Sequence, residues 1–464
     1  MEAADIFNRK ARAVSAEAAR NLEIVVAFRL AILLCLSAAS AAAQFGGAFA
    51  LDSSVPGTEA GTRGGDPVDL RFYAGVSGIY DTGLQPFAVD AKGNLVVAKG
   101  LYGEEATLGA YGTHLWEHAR LGLDYWGDFR HYAPSNYLSG TDQRLALDYK
   151  VQTSKRLLFE VKGAGGIFSD GLGPFGGYSI PAYGIVDQPG LTLFDDRVYF
   201  GEGGASVTYV LSAHTAATVG GKGFITRYRS AGLANLNGYA LRGSLQHRAS
   251  RHNTVGALYE RLDFEYSGAF GQFTIDTLEG LLESQLSRHW TLDLRAGAFL
   301  AQVQGLHQTP VDPVITALLG VTTTTATYNT ERVFPAGEAY ASRKFRKALL
   351  TFSYIRYVTP GNGVYLASRN ESGMASLSYS GTRKLSLSAS GGAFVYRSIG
   401  QGLQTYTQAN GGAGFSYEIL RSLHLTARYD LRRQDISSLI YNRTSYRATL
   451  GLTFSPGIYP LRLR

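Results

Sequence analysis

Cysteine is almost absent from this 464-residue chain, and the single one is Cys35. It lies inside an apolar run near the N-terminus, so a chain processed beyond that run holds none. Neither a disulfide framework nor a thiolate metal site is then available. Leu34 stands before Cys35 where a lipid-attachment site would have a small residue, which argues against lipidation of the sulfur. Long hydrophobic runs are missing too. Beyond the N-terminal segment nothing approaches the roughly 20 consecutive apolar residues that a helical span needs, and mean hydropathy is only -0.05. A helical membrane protein is excluded. Catalytic signatures are also lacking: there is no GxSxG, no HExxH, no Walker loop and no CxxC. The nine His are scattered, and His114, His118, His214, His252 and His289 fall at short turns. No spacing makes two or three of them converge on a metal. The expectation is a protein that is not an enzyme, with no cofactor and no resident metal. The formal charge is +7, yet the basic residues are spread over turns and strand faces, so nucleic-acid binding is not expected.

Glycine (56), tyrosine (29) and phenylalanine (23) are abundant, while charged residues make up only 17%. Excess Gly and aromatic residues suit tightly packed, twisted strands and aromatic girdles. Length alone would suggest about three domains, but one phrase recurs along the chain and argues for a single unit. An alternating apolar and polar segment stops at a basic or His-containing turn and starts again. Examples are QTSKRLLFEV (Gln152 to Val161), VLSAHTAATV (Val210 to Val219), QLSRHWTLDL (Gln285 to Leu294), RKFRKALLTF (Arg343 to Phe352) and EILRSLHLTA (Glu418 to Ala427). Each reads as two antiparallel strands around a tight turn. The turns fall near residues 116, 155, 213, 251, 288, 345, 382 and 421.

Alternation is clearest near the C-terminus. In Leu423 to Leu431 the odd positions are Leu423, Leu425, Ala427, Tyr429 and Leu431, and the even ones are His424, Thr426, Arg428 and Asp430. In Tyr446 to Phe454 an apolar set (Tyr446, Ala448, Leu450, Leu452, Phe454) alternates with Arg447, Thr449, Gly451 and Thr453. The period of two also marks Leu121 to Phe129, Leu145 to Val151, Tyr239 to Leu245 and Leu292 to Leu300. It is blurred by Gly and Ala in Val198 to Leu211, Glu331 to Ser342 and Thr405 to Glu418. Mid-strand charges decide between a sandwich and a barrel. In a sandwich they face bulk water; in a membrane barrel they face a wet lumen while the apolar set meets lipid. Eight turns join sixteen strands. Val68 to Tyr80 and Asn442 to Phe454 add one at each end. The reading is an all-β, antiparallel up-and-down transmembrane β-barrel of about 18 strands, with 16 as the alternative. An even number returns both ends to the short-turn side.

The N-terminus reads as targeting sequence. Arg29 precedes Leu30 to Leu36, and SAASAAAQ (Ser37 to Gln44) follows. Charge, short apolar core and small-residue site are the parts of a cleaved signal peptide, with cleavage expected after Ala43. Met1 to Phe28 is long for the leading region and reads as an extension or an upstream start. The expected organisation is therefore 1–43 extension and signal peptide, 44–67 flexible periplasmic lead-in, 68–454 barrel and 455–464 periplasmic tail.

On these residues the segment from Val68 to Phe454 resembles a bacterial outer-membrane β-barrel of the porin-like type. The resemblance rests on pattern over most of the chain. It implies the outer membrane as location, outer-membrane lipid and the barrel-insertion machinery as partners, and homo-oligomers as a possible state. Such barrels usually end on an aromatic residue; this chain continues past Phe454 with SPGIYPLRLR.

With the apolar face taken as outward, the candidate pore-lining residues are Arg71, Arg130, Arg144, Lys150, Lys162, Lys222, Arg242, Arg295, Arg428, Arg432 and Arg447, with Asp124, Asp148, Glu279 and Asp293. Cross-strand pairing of these charges would stiffen a hydrated wall. Basic rings would set an anion preference. The expected function is passive diffusion of small hydrophilic solutes with a mild preference for anions. Two alternatives stand beside it. A continuous ladder of Arg would favour a specialised carrier of an anionic polysaccharide, whereas balanced acid–base pairs favour general diffusion. A plugged lumen would make the barrel structural or adhesive. The expected constricting loops are Asp170 to Asp196 and Gly305 to Asn329.

Overall fold

A computed structural model describes residues 68–82, 88–89, 95–96, 100–133, 139–169, 197–230, 232–267, 271–310, 323–360, 366–380, 384–399, 405–436 and 441–456. The signal peptide, the lead-in, the segment Asp170 to Asp196 and the tail beyond 456 lie outside them. Among the described residues the regular structure is all strand.

Eighteen strands run in order around one sheet. They are β1 (Val68–Asp81), β2 (Leu101–Leu115), β3 (Ala119–Tyr132), β4 (Gly140–Gln152), β5 (Leu157–Phe168), β6 (Val198–Val210), β7 (Thr215–Tyr228), β8 (Asn235–Arg248) and β9 (Asn253–Ser267). The second half comprises β10 (Gly271–Ser284), β11 (Trp290–Pro310), β12 (Thr323–Lys344), β13 (Ala348–Thr359), β14 (Ser368–Tyr379), β15 (Leu385–Ser398), β16 (Tyr406–Leu420), β17 (Leu423–Ile436) and β18 (Tyr441–Phe454). A two-residue ribbon, Ala88–Val89 with Leu95–Val96, sits between β1 and β2. Every neighbour is antiparallel. β1 pairs with β2 from Val68↔His114 to Asp81↔Leu101, and with β18 from Ala74↔Phe454 to Asp81↔Arg447. The sheet is therefore closed, with no free edge. Seven of the eight expected short turns are present; the one near residue 382 falls at 381–383, outside the described residues, and the strand number is the expected 18.

The turns form because their residues satisfy the backbone locally. Ser154, Ser212, Ser250 and Ser287 each accept backbone N–H groups two and three residues on. A serine hydroxyl in that position mimics a turn carbonyl. The Arg, Lys and His residues around it project into water.

The region Gly305 to Asn329, expected as a constricting loop, is corrected by the structure. Gly305 to Pro310 continues β11 and Thr323 to Asn329 belongs to β12, paired from Gly305↔Tyr328 to Pro310↔Thr323. The run of threonines favours strand through its β-branched side chains. The result is a ribbon of 21- and 22-residue strands beside neighbours of 12 to 15. Pairing of β12 with β13 ends at Gly337↔Arg356. Pro335 lies just above; it has no N–H to give a neighbouring strand.

A wall with two faces and an uneven interior

Register fixes the two faces. Leu70, Phe72, Val76, Leu108, Leu145, Leu147, Val161, Val219, Leu241, Phe352, Leu377, Leu387, Tyr429, Leu450 and Leu452 share one face and are exposed. In a closed ring this outer belt has no protein to cover it. Strands of 12 to 15 residues are long enough to cross a hydrocarbon layer, which takes about 9–11 tilted residues. Neighbouring strands pair their backbone groups all round the ring, up to Gly337↔Arg356 between β12 and β13, as a hydrocarbon surrounding demands. The chain is built as a transmembrane β-barrel. Aromatic residues gather toward the loop-side end of the belt, with Tyr80 4.7 Å from Tyr102 and Tyr446 6.0 Å from Tyr429 between ring centroids.

The opposite face looks into the barrel, and all fifteen candidate residues are on it. The cross-strand pairs Asp148↔Lys162, Arg242↔Glu260, Arg295↔Glu338 and Asp430↔Arg447 run along it. The charges are mostly matched. Arg120 meets Asp148 at 3.3 Å, Lys162 meets Glu160 at 3.1 Å, Arg295 meets Glu338 at 2.9 Å, and Arg428 meets Asp430 at 2.6 Å. Asp293 lies 3.7 Å from Arg295. Glu279 lies where the charges of Arg295, Glu338, Arg242 and Glu260 act together. Gly412 makes room for the Arg428–Asp430 pair, because a Cβ there would stand 2.2 Å from the Asp430 carboxylate. Arg71, Asp124, Arg144, Lys150 and Lys222 also take inward positions, opposite Tyr111, Ala146, Gly166, Glu160 and Gly204 respectively.

Three of the candidate arginines are enclosed. Arg447 donates to both oxygens of Asp81 at 2.7 and 3.1 Å and to Tyr132 Oη at 3.3 Å; Tyr132 also donates to Asp81. Arg130 contacts Asp142 at 2.8 Å with both side chains almost fully buried. Arg432 is completely buried. The charge of Glu105 completes this group, within the fields of Arg130, Arg447, Asp81 and Asp142. The network bridges β18, β1, β2, β3 and β4 at the loop-side rim. The sequence reading missed Asp81, Glu105, Asp142, Glu260 and Glu338. Asp81 and Asp142 fall one residue beyond and three residues before the strand limits read from alternation; the same period of two, continued, would have reached them.

The interior is not polar throughout. Leu262, Phe264 and Tyr266 on β9, Phe273 and Ile275 on β10, and Phe299, Ala301 and Val303 on β11 form one buried apolar cluster with Phe224 and Leu236. They face inward, and here the assumption of an outward apolar face fails. On β9 the outward positions are Arg261, Asp263 and Glu265. Register with β8 leaves no choice, since Arg242↔Glu260 fixes the facing of every residue above it. Val358, Ala367 and Ile399, at the loop ends of β13 to β15, close onto this cluster. Tyr266 donates its hydroxyl to the Pro360 carbonyl. Phe264 and Phe273 stack at 4.9 Å. The narrowing element of the described mouth is therefore this cluster, on one side. A second inward aromatic group joins Tyr73, Tyr111, Trp126 and Phe168, with Phe200 stacked on Phe168 at 5.2 Å.

No protein-family model matches the chain, and no curated protein matches it. Solved structures do. The outer membrane protein opdK from Pseudomonas aeruginosa is 12% identical, with TM-score 0.40 over 83% of this chain and 99% of that one. A BenF-like porin from Pseudomonas fluorescens Pf-5 is 12% identical, with TM-score 0.39 over 84% and 98%. OccK2 (OpdF) from Pseudomonas aeruginosa, solved with glucuronate, is 12% identical, with TM-score 0.38 over 83% and 98%. The likeness is one of fold.

Proposed function

We propose that the chain is an outer-membrane porin through which small hydrophilic solutes diffuse passively, a channel and not an enzyme. The observation that carries this reading is a closed 18-stranded wall with an apolar belt outside and a charged face inside. Barrels of 16 to 18 strands are wide enough to leave an aqueous passage. The matched pairs on the inner face interrupt any ladder of arginines, which supports diffusion over polysaccharide transport. The apolar cluster at the mouth supports a small size limit. A mild anion preference draws its support from β17 and β18. The inward positions of those two strands hold four arginines, Arg428, Arg432, Arg443 and Arg447, and one carboxylate, Asp430, while Asp81 of β1 matches Arg447. The β9 to β12 wall, nearly half a turn away, is acid-rich through Glu260, Glu279, Glu283, Asp293 and Glu338.

The test is single-channel conductance of the refolded barrel in a planar bilayer, with the reversal potential in a salt gradient. The expected result is stable conductance steps with a reversal potential on the anion-selective side. Silence from a folded barrel would overturn the porin reading; cation selectivity would overturn the anion preference alone.

A further inference from the structure

The loop-side ends of β13, β14 and β15 do not continue the wall; they lean into the lumen. Low on β13 the outward face is open, with Phe352 and Tyr354 exposed. Four residues beyond Tyr354 on the same face, Val358 is only 5% exposed, and Ala367 and Ile399 beside it are buried too. All three belong to the apolar cluster whose other members face inward from β7 to β12, among them Phe264, Phe273 and Phe299. Arg369, opposite Val358 in register, lies 5.6 Å from the ring of Phe334, another inward residue. An outward face can meet an inward face only where the strand ends have crossed to the inside. The seam above Gly337↔Arg356, where β12 goes on with β11 alone among the described residues, lets them do so. Tyr266 on β9 holds them there through the Pro360 carbonyl.

The other face of these ends is polar, and it runs on to β16, β17 and β18. Asn370 is opposite Tyr396, and Tyr396 is opposite Tyr406; the two tyrosine rings lie 5.8 Å apart. Gln434 donates to Tyr406 Oη at 2.8 Å, and Tyr406 donates to Gln408 at 2.7 Å. Asn370 donates to Tyr357 Oη at 3.3 Å. Ser368, Asn370, Gln434 and Ser445 are completely buried. Yet Ser368 Oγ, Asn370 Oδ1, Gln434 Oε1 and Ser445 Oγ have no hydrogen-bond partner among the described residues. A buried polar atom without a partner costs free energy. The inward lean is therefore held by its apolar side and opposed by its polar side, the make-up of an element with two positions.

The leftover groups define what would satisfy them once the ends lift. A side-chain amide can turn over, so each leaves either a carbonyl or an NH2 group over, and a serine hydroxyl both donates and accepts. A ligand hydroxyl serves every one of these. Arg432, Arg443 and Arg447 stand along the same rows and disfavour a cation. A carboxylate only accepts, so it cannot serve the carbonyls, and Arg447 is already matched by Asp81. The rings of Tyr396 and Tyr406 add apolar faces with polar tips, which suit the C–H side of a carbohydrate ring.

We infer that the row Asn370, Tyr396, Tyr406 and Gln434, with Ser368 and Ser445 beside it, is a binding site for a neutral polyhydroxylated solute, a sugar or polyol. The site opens when the ends of β13 to β15 lift from the inner wall. The inference rests on the porin reading, whose solute class it names.

The test is a titration of the refolded barrel in neutral detergent with methyl glucoside, read by saturation-transfer NMR. Heat-modifiable migration on gels reports folding. Asn370→Leu with Gln434→Leu should weaken binding about 25-fold, at roughly fivefold for each hydrogen bond lost. Ser445→Ala, a milder change that serves if the double variant does not fold, should weaken it about fivefold. Tyr266→Phe frees the strand ends from Pro360 and should tighten binding about fivefold, because the open position is more populated. The fully O-methylated glucoside has no hydroxyl to give and should not bind. Binding unchanged by the substitutions at Asn370, Gln434 and Ser445, equal binding of the O-methylated sugar, or displacement by sodium acetate at equal concentration overturns the inference. An unchanged affinity in Tyr266→Phe overturns the lifting step. Conductance in a planar bilayer separates the two claims. Sugar binding by a barrel that passes no ions sinks the porin reading and leaves the site; steady conductance without sugar binding sinks the site alone.

Discussion

Arg130 and Asp142 have given up water for each other. Their attraction in the wall offsets much of the desolvation of two ions, and the pair adds little net stability. Breaking it is another matter. Arg130→Met should destabilise the barrel by about 3–5 kcal/mol, because Asp142 is left buried and charged without its cation. The shift of the urea unfolding midpoint in lipid vesicles measures this. Arg130→Met with Asp142→Leu should recover most of the loss; failure to recover would show that neither residue is held as a pair. At this scale the sequence told less than it contained. The alternation that put Arg130, Arg432 and Arg447 on the inner face did not show that they are enclosed. Enclosure depends on acids contributed by other strands, and a period of two carries no information about the neighbour's register.

Among the elements, the hairpins were legible because each ends on a basic or His-containing turn that the chain repeats, four of them closed by a serine hydroxyl. The β11–β12 ribbon was not. VDPVITALLG, between its strands, has the Pro and Gly of a loop, and the threonines after it alternate with nothing. The inversion on β9 was hidden for a different reason. Leu258 and Leu262, Phe264 and Tyr266 do alternate with polar residues, but the apolar set there is inside, packed against β10, β11 and the ends of β13 to β15. Only the register with β8 reveals it. A prediction belongs here. Phe264→Ala with Phe273→Ala removes a stacked pair from the mouth and should raise the single-channel conductance, at a stability cost of about 3–5 kcal/mol for each ring. A folded double variant with an unchanged conductance step would place the cluster off the conduction path.

For the molecule as a whole, selectivity follows from where surplus charge lies across the lumen more than from the net charge of +7. Arg428→Gln with Arg443→Gln should move the reversal potential toward zero, and raising the salt should do the same in the unsubstituted chain, since the Debye length falls from about 10 Å at 0.1 M to about 3 Å at 1 M. A reversal potential indifferent to both would take these arginines out of the conduction path.

The ladder between β1 and β18 has one more consequence. Its rim bond, Arg447 to Asp81, joins residues 366 apart in sequence. Every other neighbouring pair of strands is consecutive and can zip up locally, but this one waits for the last segment of the chain to exist. Until then the growing sheet has two bare edges, and loop-closure entropy delays their meeting. The fold therefore has a built-in order of events: a long, fast-forming meander first, then a single slow ring closure at Ala74 to Asp81. An agent that shields those two edges, or lines them up, would act on the one step that local contacts cannot speed.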